Sequence, residues 1–291
     1  MTDLLDMDSP KREYVRKRSR VPNAATASWN LTGSFSLLIE QQNTSRWIRR
    51  YHASDASPIR LVCLPHAGGS APFYFPMSQA LAPAVDVLSV QYPGRQDRRD
   101  EPGFTDLGAF ADALTSALLP WLDRPTAFFG HSMGAALAFE VTRRLERDHG
   151  IQPVRVFASG RRSPSSHRPE TVHLRDDDGI VAEMRELSGT DSRILGDEEI
   201  LRMVLPAIRT DYTAIENYRA AIEDTVKTPI TVMTGEADPR TSREEADAWE
   251  QHTTGEFEIH RFHGGHFFLA NHQPEILKIV SEELSKAARK G

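Results

Sequence analysis

One cysteine, Cys63, stands in 291 residues. A disulfide within the chain is therefore excluded, which suits a reducing cytosol. No apolar run in the sequence approaches the roughly 20 residues that span a bilayer, so no membrane anchor is expected. The N-terminus lacks the apolar core of a secretory signal. Positive charge is not in excess, since the net charge is −6, and nucleic acid is not an expected partner. Metal patterns are missing as well. His263-x-x-His266 has no carboxylate at ligand spacing, and there is no HExxH helix. The Gly68-Gly69 turn lacks both a P-loop lysine and GxGxxG spacing. The chain is thus expected to need no metal and no cofactor, and to work in the cytoplasm.

What is present is a globular composition, 39% hydrophobic and 26% charged. Residues 1–44 differ from the rest. They carry the basic run Lys11-Arg-Glu-Tyr-Val-Arg-Lys-Arg-Ser-Arg20 without apolar periodicity. This arm reads as disordered, the alternative being a basic tail that docks on an acidic partner. From 45 to 291 the pattern alternates. Short apolar, β-branched runs at 59–64, 85–90, 126–129, 154–158, 230–234 and 257–262 predict buried strands. Helical spacing fills 73–81, 107–122, 135–149, 243–252 and 275–288. Strand–helix alternation predicts an α/β domain with a mostly parallel central sheet and helices on both faces.

One stretch breaks the alternation. About 70 residues separate the strand ending near Ala158 from the one starting at Ile230. They hold two helical patterns, 178–187 and 197–219, and no clear strand. One crossover needs one helix, so the pair predicts a helical lid over about 177–220. Two ordinary crossover helices are the alternative.

Gly130-His131-Ser132-Met133-Gly134 fits G-x-S-x-G. The pattern alone is weak, but here it follows a predicted strand and opens a predicted helix, the context of a nucleophile elbow. Ser132 is the candidate nucleophile. A serine needs a base, and the loop after the last strand offers His266, preceded by two glycines; His263 is its rival. The imidazole needs a carboxylate to fix its tautomer. Asp238 follows the penultimate strand, with Glu236 as the alternative. The order Ser132, Asp238, His266 suits an α/β-hydrolase. For the oxyanion, the backbone N–H of Met133 supplies one donor. The turn Pro65-His66-Ala67-Gly68-Gly69 after the first strand offers the other, the N–H of Ala67.

Four motifs in order carry a resemblance: Pro65-His66-Ala67-Gly68-Gly69, Gln91-Tyr92-Pro93-Gly94-Arg95, Gly130-His131-Ser132-Met133-Gly134 and Gly264-Gly265-His266-Phe267-Phe268. Between Trp47 and Leu284 the chain resembles the type II thioesterases that accompany polyketide and nonribosomal peptide synthases. Ser159-Gly-Arg-Arg162 and Leu187-Ser-Gly-Thr-Asp191 are similar to that family too. The resemblance implies an α/β-hydrolase that cleaves acyl groups from the phosphopantetheine arm of acyl or peptidyl carrier proteins, removing aberrant or stalled chains. A small-molecule carboxylesterase or lipase with the same three residues is the alternative. Six arginines, Arg95, Arg98, Arg99, Arg161, Arg162 and Arg168, follow two predicted strands. They fit an anionic ligand such as the phosphopantetheine phosphate, or else pair locally with Asp97, Asp100 and Glu101.

Overall fold

The central strands are built from residues that leave water on both sides. In β2 (Arg60–Leu64), β3 (Asp86–Val90), β4 (Thr126–His131), β5 (Val156–Ser159) and β6 (Ile230–Gly235) every position is buried. This is the near-continuous apolar run of a parallel sheet covered on both faces. The computed structural model describes residues 46–187 and 198–289. The expected arm at 1–44, residues 188–191 of the Leu-Ser-Gly-Thr-Asp motif and the expected helix start at 197 lie outside the described residues.

A seven-stranded sheet runs in the order β1-β3-β2-β4-β5-β6-β7, with β1 at Ile48–Arg49 and β7 at Phe257–Phe262. All neighbours pair in parallel except β1, which runs antiparallel to β3. β1 was not among the expected strands: two residues are too few to carry a period of two. The other six fall within two residues of their expected limits.

Side-chain alternation divides the core in two. Leu61, Cys63, Val87, Ala127, Phe129 and Phe157 point to one face. There they meet α1 (Phe75–Leu81) through Met77 and Leu81, and the C-terminal helix Gln273–Ala288 through Ile276, Val280 and Leu284. Val62, Leu64, Leu88, Phe128, Val156 and Val232 point to the other. They bury α2 (Leu107–Leu118) and α3 (Met133–His149). Cys63 is one of these core residues, and burial pushes its thiol well above its ordinary range.

The chain leaves β2 for β3 on one side and returns to β4 on the other. Ligand crevices of open α/β sheets form at such a reversal, beyond the carboxyl ends of the strands. The loops after β2, β4, β6 and β7 all emerge at that end.

Helix α3 sits unusually close to the sheet there. A Cβ on Gly134 would lie 2.0 Å from the Leu64 carbonyl oxygen, and one on Gly130 would lie 2.0 Å from the Gly134 carbonyl oxygen. Backbone cannot yield as a side chain does, so Gly134→Ala is expected to cost at least ~3 kcal/mol, the upper end for overpacking. The urea midpoint measures this; an unchanged midpoint would mean that α3 can back away from β2.

Candidate active site

Between β4 and α3 the chain turns through a single residue, Ser132, at φ 55° and ψ −117°. For a residue with a Cβ this conformation is strained, and such strain gathers at functional sites. Two features over-determine it. The Ser132 amide donates to the Ser159 carbonyl at 2.8 Å, extending the β4–β5 ladder past the end of β4. The glycines at 130 and 134 let α3 start immediately behind the serine.

The loops after β6 and β7 bring Asp238 and His266 together. Asp238 Oδ2 lies 2.9 Å from His266 Nδ1, and both side chains are buried. The same carboxyl accepts the Arg240 amide at 2.8 Å. The alternatives lie elsewhere. His263 is 95% exposed and faces Glu236 at 3.5 Å, itself 58% exposed. Ser132, His266 and Ala67 line one cavity. Neither the Ala67 nor the Met133 amide donates to a protein acceptor among the described residues. Both are free to bind an oxygen, as an oxyanion hole requires.

Two further histidines, His66 and His131, pack around the site beside His266. The His131 and His266 rings are 5.1 Å apart, and Phe267 lies against His66, His131 and His266 at 4.9–5.2 Å. Burial, reinforced by His266 and Arg95, pushes His66 down to about 3. Burial, then His266 and His66, holds His131 well below its ordinary range. Both rings are therefore neutral around neutrality, since a buried imidazole resists charging. His66 Nδ1 and His131 Nε2 have no hydrogen-bond partner among the described residues.

Two helices supply the far wall of the cavity. Leu187 ends α4 (Asp177–Leu187), and Tyr212, Ile215 and Glu216 belong to α5 (Glu198–Glu216). The cavity holds about 40 Å³, room for only a few water-sized groups. Leu205 of α5 is not in that wall and packs with Val172, Ile180, Val181 and Met184 in a small core between α4 and α5. The helical period of α5 marks its apolar face but not which residue of that face meets the sheet.

The cavity wall also holds Arg161, Glu170, Glu216 and Arg240. Burial alone would raise Glu170, but Arg162, Arg161 and Arg240 bring it to about 2. Glu216 accepts the Val172 and His173 amides and the His173 ring. Burial, with Arg162 nearby, lowers Arg161 to about 9. These partners come from distant segments, so no local motif announces them. The arginine-rich face is accordingly less open to an anion than its composition suggests. Arg95 pairs with Asp211, Arg98 with Glu101, Arg162 with Glu170 and Arg168 with Glu245.

Comparison with known proteins adds the family. The model of the thioesterase domain matches residues 59–284. A protein of Streptomyces griseus named as a cadicidin biosynthesis thioesterase is 58% identical over 84% of this chain, and the match spans 66% of that protein, just under two thirds of its length. Thioesterase PikA5 of Streptomyces venezuelae is 46% identical over 82% of this chain and 85% of its own. The structure of the type II thioesterase BorB, from the borrelidin biosynthetic cluster, superposes with a TM-score of 0.78 at 48% identity, covering 82% of this chain and 98% of that one. With the family model over most of its length and relatives of this identity, the chain belongs to the thioesterase domain family.

Proposed function

We propose that the chain hydrolyses acyl thioesters carried on the phosphopantetheine arm of acyl or peptidyl carrier proteins, clearing aberrant or stalled chains from a synthase. The observation that carries the chemistry is the convergence of Ser132, the Asp238–His266 pair and the free Ala67 amide on one cavity, with the free Met133 amide next to Ser132 in the chain. Membership of the thioesterase family favours a thioester over the ester of a carboxylesterase or lipase. The named contexts of the relatives, cadicidin biosynthesis and the borrelidin biosynthetic cluster, support a carrier-bound substrate. No helix among the described residues is long and apolar enough to cross a membrane, which is compatible with the cytoplasm where carrier proteins are loaded.

Each residue then has a role. Ser132 Oγ attacks the thioester carbonyl while His266 takes its proton. Asp238 accepts the Nδ1 hydrogen of His266 and so presents the other ring nitrogen to the serine. The charge on the tetrahedral oxygen falls to the Ala67 and Met133 amides, whose dipoles are already oriented. His266 returns the proton to the departing pantetheine thiolate. Water, deprotonated by the same imidazole, then releases the acid. Neutral His66 and His131 keep a second positive charge away from the imidazolium formed in each half-reaction.

The helices α4 and α5 act as a cover that excludes water while the acyl-enzyme forms. A cavity of about 40 Å³ suits a short acyl group and needs the cover to shift for a longer one.

Ser132→Ala is expected to lower kcat on an acyl-pantetheine thioester by up to about a millionfold, with circular dichroism unchanged. A folded variant that keeps a tenth of the wild-type rate or more overturns the assignment of the nucleophile. His266→Ala should abolish turnover while His263→Ala leaves it near wild type; the reverse result makes His263 the base. Tyr212→Ala should move the optimum of kcat/KM along an acyl series toward longer chains, by tenfold or more at ~1–3 kcal/mol per methylene. Leu205→Ala should instead lower the melting temperature and keep the ranking. If both variants keep the ranking, α5 does not set chain length. Parity between simple esters and acyl-carrier thioesters would favour the carboxylesterase reading.

A further inference from the structure

Helix α5 contributes more than a wall. In its C-terminal third Asp211 is fully buried, four residues before Ile215 of the cavity lining. Its carboxylate accepts the Gly68 amide at 2.7 Å. It also takes both terminal nitrogens of Arg95, at 2.6 and 2.7 Å. Arg95 in turn donates to the Gly69 carbonyl at 3.1 Å. One side chain of the cover is thus bonded to the loop that carries the Ala67 amide.

The geometry of that loop explains what the bond does. A trans peptide points its carbonyl and its N–H in opposite directions, so fixing one end fixes the other. The Gly69 amide donates to the His66 carbonyl at 2.8 Å, which sets the His66–Ala67 peptide and the direction of the Ala67 N–H. The next peptide, Ala67–Gly68, is set by Asp211. Gly68 stands at φ +76°, a conformation that favours glycine, and a Cβ there would lie 2.6 Å from the Ile208 side chain. One peptide of the loop is thus held by its own turn and the next by α5.

The charges are consistent with a role beside an oxyanion. A lone carboxylate here would repel the developing negative charge. Bidentate pairing with Arg95 neutralises it in a buried site, and Oδ2 accepts the Gly68 amide alongside one Arg95 nitrogen.

We propose that Asp211 is a positioning residue for the oxyanion hole: by holding the Gly68 amide it fixes the Ala67–Gly68 peptide, and with the Gly69–His66 bond this points the Ala67 amide at the oxygen of the carbonyl attacked by Ser132, so the hole is complete only when α5 is docked. This rests on the thioesterase reading for its substrate, but the bond itself can be tested on any ester the chain turns over. Covering the site and assembling the oxyanion donors become one event. An open cover admits substrate to a serine that lacks one of its two donors.

The test compares Asp211→Asn with Asp211→Leu. The two replacements are close in size, and both leave Arg95 without its carboxylate. Only asparagine keeps an oxygen for the Gly68 amide. Leucine is expected to lower kcat by about 100-fold or more relative to asparagine, the loss typical of one oxyanion donor, with KM within about threefold. A trifluoromethyl ketone analogue, which forms a tetrahedral adduct with the serine, should weaken by the same factor. The corresponding unreactive thioether should bind both variants equally. If Asp211→Leu does not fold, Asp211→Ala replaces it under the same criterion. Equal kcat for the two variants, or equal weakening of both analogues, overturns the proposal, because either marks a role in pocket shape alone. A wild type that cleaves esters but no acyl-pantetheine thioester would instead count against the proposed substrate and leave this comparison readable.

Discussion

The close approach of α3 to β4 and β2 is the constraint on which the rest of the site depends. Two glycines, 130 and 134, let helix and strand meet where any side chain would strike backbone. The chain must then reverse within one residue, which forces Ser132 into positive φ and stands its hydroxyl clear of both elements. The cost of that strain is met by the β-ladder before it and the helix after it, not by the serine itself. Everything else converges on the point so defined. The loops after β2, β6 and β7 reach it because their strands end at the same edge, and α5 reaches it because the sheet leaves that edge uncovered.

A second layer of organisation is electrostatic. Around the cavity the charged groups occur in satisfied sets: Glu170 with Arg162 and Arg240, Glu216 with His173 and two amides, and Asp211 with Arg95 and Gly68. Buried ion pairs add little to stability when compared with apolar side chains of equal volume. Their value here is directional: Glu170 ties the segment after β5 to the loop after β6, Glu216 ties α5 to the segment after β5, and Asp211 ties α5 to the loop after β2. The two neutral histidines do the converse and keep charge out.

Much of this was legible in the sequence, for identifiable reasons. The six longer strands were readable because a parallel strand buried on both faces is a continuous apolar run with polar or glycine ends. The loop residues Ser132, Asp238 and His266 were readable because each follows such a run, and glycines mark where backbone must bend or approach closely. The two helices between β5 and β6 were readable from their spacing. What could not be read was pairing across the chain. Asp211 lies 116 positions from Arg95 and 143 from Gly68, and no local pattern distinguishes it from a surface acid on a helix. The same limit left six arginines open to either an anionic ligand or local pairing; five are held by carboxylates. Strand β1 was missed because two residues contain no repeat.

The strand order also bears on when the molecule can first react. His266 follows β7, and β7 docks at the outer edge of the sheet beside β6. During synthesis Ser132 leaves the ribosome long before His266, so under the proposed roles a chain that stops short of β7 has a nucleophile without its base. On that reading reactivity arrives only after the last strand, with the C-terminal helix still to dock.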